Sequence, residues 1–270
     1  ELLYPRLGLF VTTTPDAQLQ QFACRVYNDW IGDYCWTEAA RLKGMALLPA
    51  AAPIEAIVAE IEHAASLGLA GVILPVRHAI SSYNMPEWDA VWDALQSAGL
   101  CCVVHLGAEE GAAPQPQGPG AAGILVSTGR YDVNEFLQMI VWGGAVTRFP
   151  NLRFGLVGSG VGWLATQLTL MDHWWHDHKG WMQPRLGQEP SHFWRRQCFA
   201  SFHHDGPGVA TREIIGVENL LWGVGMPTET ATGDPVDAAA RALAGVPDGE
   251  AAAIAAGNAS RLLGIDRALN

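Results

Sequence analysis

The chain has 270 residues, 49 % of them apolar, enough for one large domain with a sizeable core, read as a single domain over 1–270. Lys and Arg total 16 against 27 Asp and Glu, a formal net charge of −11. That balance excludes nucleic acid and anionic membranes as partners, since both repel an acidic surface, and leaves a small-molecule substrate as the expectation.

Short β-like runs alternate with amphipathic stretches. Leu2-Leu3-Tyr4 opens a first strand, and Pro15 to about Trp36 reads as a helix with Asp16 near its start. Gly44–Leu48 is a strand, Pro53–Leu67 a helix ended by Gly68, and Gly71–Leu74 a strand. Glu87–Ala98 is a helix ended by Gly99, the residue type that tolerates the left-handed turn after a last helical residue. Cys101–Leu106 is a strand, followed by a Gly/Pro/Gln-rich loop from Gly107 to about Gly129. Asp132–Val146 is helical, Leu152–Val157 a strand and Gly160 to about His178 a helix. Cys198–Phe202 and Leu220–Gly223 are the last strands, with closing helices over Asp234–Ala244 and Glu250–Leu263.

Strands alternating with helices imply parallel pairing through crossovers, and apolar strand runs suit a sheet buried on both faces. Seven strands are counted, one short of a (β/α)₈ barrel. Phe154–Met171 carries no charge, but four glycines with Ser159, Thr166, Gln167 and Thr169 make it a strand, a turn and a helix rather than a membrane span. The five cysteines (Cys24, Cys35, Cys101, Cys102, Cys198) have no Cys-x-x-Cys spacing, which fits a reducing compartment. No basic leader precedes an apolar run at the start, so a cytoplasmic protein without a signal peptide is expected.

Residues at the C-terminal ends of parallel strands line the mouth of such a fold. His105 ends the fourth strand, and His203 and His204 follow the sixth. Imidazoles there suit acid/base work near neutral pH, although the His203-His204 pair also fits an exposed loop. Arg77 and His78 follow the third strand; Arg77 could grip a carboxylate through its planar fork or form a surface salt bridge. Tyr4 and Arg6 end the first strand, Ser159 and Trp163 flank the turn after the fifth, and Thr228 and Glu229 follow the seventh. Of these, His105, His203, His204 and Glu229 are the candidate catalytic residues. Tyr4, Arg77, His78, Ser159, Trp163 and Thr228 are candidates for substrate binding.

Gly160-Val161-Gly162-Trp163-Leu164-Ala165 fits the dinucleotide fingerprint, but no acidic residue ends a strand about 20 residues on, so a tight strand-to-helix turn explains it better. His173 and His176 share a helix face without further apparent ligands. Trp163, Trp174, Trp175, Trp181 and Trp194 cluster in sequence and read as core and subunit interface.

Several segments carry a resemblance in order and spacing. They are Tyr27-Asn28-Asp29-Trp30, Arg41-Leu42-Lys43-Gly44, Pro86-Glu87-Trp88-Asp89, Gly143–Pro150, Ser159–Leu164, Phe193–Phe202, Leu220–Thr228 and Gly257–Gly264. Together they resemble the metal-dependent amidohydrolase superfamily, in the branch related to aminocarboxymuconate-semialdehyde decarboxylase. The resemblance implies a distorted (β/α)₈ TIM barrel, decarboxylation or C–N and C–C hydrolysis, and a homodimer. It makes His105 the match of a metal-binding histidine. It also implies a preceding strand with a His-x-His pair, which this sequence opens without.

Where the branch usually has Trp-Gly-Ser-Asp-Tyr-Pro-His with a ligating Asp, this chain has Gly225, and Gly158 stands where Glu or His is common. The expectation is a repurposed, metal-independent enzyme without a cofactor. It would use His acid/base chemistry on a small organic acid or cyclic, polyketide-like metabolite, by decarboxylation, lyase or cyclisation chemistry. The alternatives are a non-catalytic partner subunit, or an ordinary zinc-dependent decarboxylase or hydrolase whose His-x-His lies on an absent N-terminal strand.

Overall fold

The computed structural model describes residues 1–5, 7–77, 79–105, 117–128, 130–225 and 234–264. The chain forms two compact units, Glu1–Phe154 and Gly155–Asn270. Among the described residues no helix is long and apolar enough to cross a membrane.

The first unit opens with β1 (Leu2–Leu3) and a 3₁₀ helix (Leu7–Thr13). α1 (Ala17–Trp36), β2 (Lys43–Leu47), α2 (Ile54–Ser66), β3 (Gly71–Ile73), α3 (Asp89–Ala98) and β4 (Cys101–His105) follow. The strands pair in parallel in chain order, with Leu2 opposite Lys43, Met45 opposite Gly71 and Gly71 opposite Cys101. β2, β3 and β4 are buried along almost their whole length, as their unbroken apolar runs require.

Asp16 caps α1, its carboxylate accepting from the amides of Gln18 and Leu19 at 2.9 and 3.1 Å. The Asn28 side chain then ties α1 to the sheet. Its amide donates to the Leu47 carbonyl at 2.9 Å and to Glu60 at 2.7 Å, and its carbonyl accepts from the Leu47 amide at 2.8 Å. Gly44 permits that approach, since a Cβ there would lie 2.8 Å from Ile31 Cγ1.

α4 (Ala121–Thr128), α5 (Arg130–Trp142) and α6 (Ala145–Arg148) complete the unit, with the first residue of β5 (Phe154–Val157). Two expectations are corrected here. The segment read as loop from 107 to 129 contains α4, while residues 106–116 lie outside the described residues. The helix read as continuous over Asp132–Val146 breaks at Gly143-Gly144, because Gly144 adopts φ +76° and a Cβ on Gly143 would collide with the Met139 carbonyl. Beneath these helices, Tyr83, Trp88, Trp92, Phe136 and Phe154 form an aromatic core with edge contacts such as Tyr83–Trp88 at 4.5 Å.

The second unit holds α7 (Gly162–His178), α8 (Pro190–Gln197), β6 (Cys198–Phe202), α9 (Gly206–Ala210), α10 (Arg212–Ile215), β7 (Leu220–Trp222), α11 (Pro235–Ala242), α12 (Asp248–Ala252) and α13 (Asn258–Leu263). β6 and β7 are parallel, Ala200 opposite Leu220. A π-helical turn over Ala253–Gly257 divides the closing helix expected over Glu250–Leu263. Just after it, Asn258 donates to the Val217 and Leu220 carbonyls at 2.7 and 2.9 Å and anchors the start of β7. Asn219, the residue before β7, ties it to the start of β6, donating to the Cys198 carbonyl at 2.6 Å.

Candidate functional site

In the first unit, the ends of β1 and β4 bring two of the candidate residues together. Tyr4 follows β1 and His105 closes β4, and their ring centroids lie 5.3 Å apart at 50°. β1 and β4 stand three positions apart in the strand order, roughly 14 Å along a flat sheet at the usual strand spacing. Contact between these rings therefore requires the first unit's sheet to curl, with both side chains on its inner face.

Burial, helped by the nearby Cys101 sulfur, raises the Tyr4 phenol above its usual range, so it stays a protonated donor at neutral pH. The same desolvation pushes the Cys101 thiol up to about 12 and Cys102 well above the ordinary thiol value. Neither is a thiolate nucleophile near neutral pH.

Arg77 follows β3. Its guanidinium donates to Asp132 at 2.6 Å through Nη2 and 3.2 Å through Nε, and to Glu135 at 3.3 Å. Carboxylates of α5 thus engage the fork that the sequence offered to a substrate anion, which is the salt-bridge alternative in structural form.

In the second unit, β5 runs into Gly158-Ser159-Gly160-Val161 and α7. Gly158 and Gly160 adopt φ +80° and +68°, conformations that side chains resist. The anion held by this turn is the chain's own. Asp205 Oδ2 accepts from the amides of Val161 and Gly162 at 2.6 and 2.7 Å, and Oδ1 from Gly208 at 2.9 Å. One carboxylate therefore caps α7 and α9 together. Glycine is required beside it, since a Cβ on Gly162 would sit 2.7 Å from Asp205 Oδ1. Ser159 and Trp163 serve the same turn, Ser159 Oγ and Trp163 Nε1 donating to the Gly160 carbonyl at 3.2 and 3.1 Å. Sequence reading passed over Asp205, although an Asp before Gly-Pro-Gly is a recognisable helix start.

The same tether positions the two histidines just before it. His203 packs against His204, ring centroids 3.9 Å apart, and its backbone carbonyl accepts from Trp222 Nε1 at 3.2 Å. Among the described residues, the buried His203 Nε2 meets no hydrogen-bond partner. Burial first, and the neighbouring His204 second, lower the His203 pKa from 6.5, so its ring is neutral at pH 7. His204 is exposed. His78, Thr228, Glu229 and Arg6 lie outside the described residues.

The family that the sequence resembles uses a metal, and a catalytic zinc normally takes three protein ligands. Among the described residues no group of three His, Cys, Asp or Glu side chains could hold a metal ion. His105 faces the Tyr4 ring, and Gly158 and Gly225 offer no side-chain donor. The histidines of α7 have other neighbours: His173 meets Asp177 at 3.4 Å, His176 meets Glu189 at 2.7 Å, and His178 stacks on Trp174 at 4.8 Å. The described residues do not fit the family's metal.

The fold is shared with solved structures over nearly the whole chain. The 5-carboxyvanillate decarboxylase LigW from Sphingomonas paucimobilis aligns with TM-score 0.74 and 21 % identity, covering 97 % of this chain and 77 % of that one. A 2,6-dihydroxybenzoate decarboxylase from Rhizobium aligns with TM-score 0.71 and 17 % identity, covering 98 % and 83 %. A dihydroxybenzoic acid decarboxylase from Polaromonas sp. JS666, with bound manganese and the inhibitor 2-nitroresorcinol, aligns with TM-score 0.67 and 16 % identity, covering 93 % and 78 %. These likenesses show an α/β fold of the distorted (β/α)₈ barrel kind. No curated protein matches the sequence. The amidohydrolase family model matches residues 5–265, and the chain belongs to that family.

Proposed function

We propose that this chain is a decarboxylase-like enzyme acting on a small hydroxylated aromatic acid, with His105 carrying the proton and Tyr4 as the fixed donor beside it. The observation that carries the reading is the Tyr4–His105 pair at two strand ends. Its context is a fold shared with decarboxylases of 5-carboxyvanillate and 2,6-dihydroxybenzoate.

In this reading protonated His105 gives its proton to the ring carbon that bears the carboxylate. The C–C bond then breaks, its electron pair returns to the ring, carbon dioxide leaves, and the product keeps the donated hydrogen. His105 regains a proton from solvent. The Tyr4 phenol donates to a substrate oxygen and orients the carboxylate out of the ring plane, where its departing bond overlaps the π system. His203, neutral at pH 7, is the second candidate for proton transfer.

The test is carbon dioxide release from a panel of hydroxybenzoates, with the metal content of the same preparation measured by elemental mass spectrometry. Loss of a general acid typically costs about 10²–10⁴ in rate, and His105→Gln is expected to fall in that range. His105→Gln within threefold of the parent would remove His105 from the chemistry. A second reading, a non-catalytic partner subunit, draws on Gly158 and Gly225 at two strand ends. Retained ligand binding without turnover of any panel member favours it.

A further inference from the structure

We propose that the exposed face of α8 binds a small polyvalent oxyanion, of the pyrophosphate or tricarboxylate kind, with Arg195 at the centre of the site. Charge is segregated in this part of the chain. Against a net charge of −11 overall, residues 178–197 carry Lys179, Arg185, Arg195 and Arg196 with Glu189 as their one acid. Helical spacing then gathers the cations: His192, Arg195 and Arg196 stand at i, i+3 and i+4, on one face of α8. With Gln188, Glu189 and Ser191 they line a hollow of about 390 Å³ that opens to solvent. Ligand pockets of this size are mostly apolar, whereas every residue lining this one is polar or charged. Such a lining suits a compact ion that keeps part of its water.

Neutral acceptors orient the two guanidinium groups. Arg195 donates through Nη2 to the Ile214 carbonyl at 3.0 Å, and among the described residues it forms no ion pair. By contrast Arg25, Arg77, Arg148 and Arg212 each meet a carboxylate, at 2.7, 2.6, 2.7 and 2.6 Å. Arg196 is aligned by the Gln197 side-chain oxygen, 3.0 Å from its Nε, and lies over the Phe193 ring at 5.1 Å. Gln197 is 1 % exposed, so that oxygen is a fixed post. Forks held in advance lose less freedom on binding. His192 offers a ring N–H in either charge state, and Ser191 a hydroxyl.

The nearby acids have other partners. Glu189 meets His176 Nε2 at 2.7 Å, and Asp172 Oδ1 accepts from the Ser191 amide at 2.9 Å. That amide at the start of α8 is therefore taken, and the site rests on side chains. Total charge selects the size of the ligand. A membrane or a nucleic acid meets the whole acidic surface, whereas a small ion responds to charges within about 8 Å at physiological salt. The placement on α8 is independent of the proposed reaction.

Sodium pyrophosphate titrated into the full chain at about 50 mM salt is expected to bind with Kd of about 1 mM or tighter, the yield of two charge-assisted hydrogen bonds. Arginine Nε–H resonances, read by nuclear magnetic resonance, locate it: Arg195 should shift, and Arg241 on α11 should not. Arg195→Gln should weaken binding by about 10-fold or more, the effect of one charged hydrogen bond. Glu189→Gln removes a repelling charge and should tighten binding by about fivefold, a gain that partial unfolding cannot mimic. Citrate titrated in parallel tells a carboxylate ligand from a phosphoryl one, the tighter of the two naming it. No Arg195 shift at about 10 mM of either anion overturns the proposal. So does binding that Arg195→Gln leaves within about twofold, or acetate binding as tightly as the polyvalent ions.

Discussion

Replacing Asp205 with Ala removes three hydrogen bonds at once, to the amides of Val161, Gly162 and Gly208 at 2.6, 2.7 and 2.9 Å. A hydrogen bond to a charged group contributes about 1.5–3 kcal/mol net. Val161 and Gly208 are buried, so water cannot easily replace the carboxylate at their amides. The start of α7 also loses a favourable negative charge, worth about 0.3–1 kcal/mol. Discounting for the partial exposure of Asp205, the loss is about 4 kcal/mol, a fall of roughly 8–16 °C in Tm for a domain of this size. Asp205→Asn keeps one acceptor oxygen and should lose about half as much. Urea unfolding followed by tryptophan fluorescence and far-ultraviolet circular dichroism measures both, the coincidence of the two curves testing two-state behaviour. A loss below about 1 kcal/mol for Asp205→Ala would refute the view that this carboxylate joins the two turns.

Asn28→Ala deletes three buried hydrogen bonds between α1, β2 and α2 and should cost about 3 kcal/mol by the same urea assay. Because the folded-state pKa of His203 lies below its ordinary 6.5, the unfolded chain binds the proton more readily. The resulting stability is fully present above pH 6.5 and declines as pH falls through the lower folded value. His203→Gln should flatten that part of the stability–pH curve between about pH 7 and 5, and an unchanged slope would remove His203 as its source. His204→Ala should move the His203 titration, read by nuclear magnetic resonance, back toward 6.5.

The seven strands were legible because their apolar runs are short, bounded by glycine or proline and separated by helix-period stretches. What the sequence concealed lay in side chains that bond to backbone across distance. Asn28 reads as part of a motif, but its reason, two bonds that fasten a helix to a strand residue 19 positions away and a third to Glu60, needs coordinates. Arg77 reads in sequence as an anion anchor or a salt-bridge partner, and only the fold supplies Asp132, 55 residues on, as that partner. Periodicity carries no record of such partners. The break at Gly143-Gly144 was hidden for another reason: the helical pattern of apolar residues runs through it, and only the positive φ of Gly144 shows that the chain turns. The Tyr4–His105 contact depends on the curl of a sheet, which no local pattern encodes.

The carboxylate of Asp205 also determines what the glycine turn can sense. An anion fixed to the same chain, directly after His204, acts at an effective concentration far above that of any phosphate free in solution. A nucleotide would have to evict a tethered competitor before it met a single amide, so the turn is chemically deaf to phosphate despite its spelling. The glycines at 160, 162 and 208 and the acid at 205 consequently form one inheritance unit. Enlarging any of the glycines crowds the acid, and removing the acid strands the amides beside the glycines, so substitutions here are expected to be tolerated together or not at all.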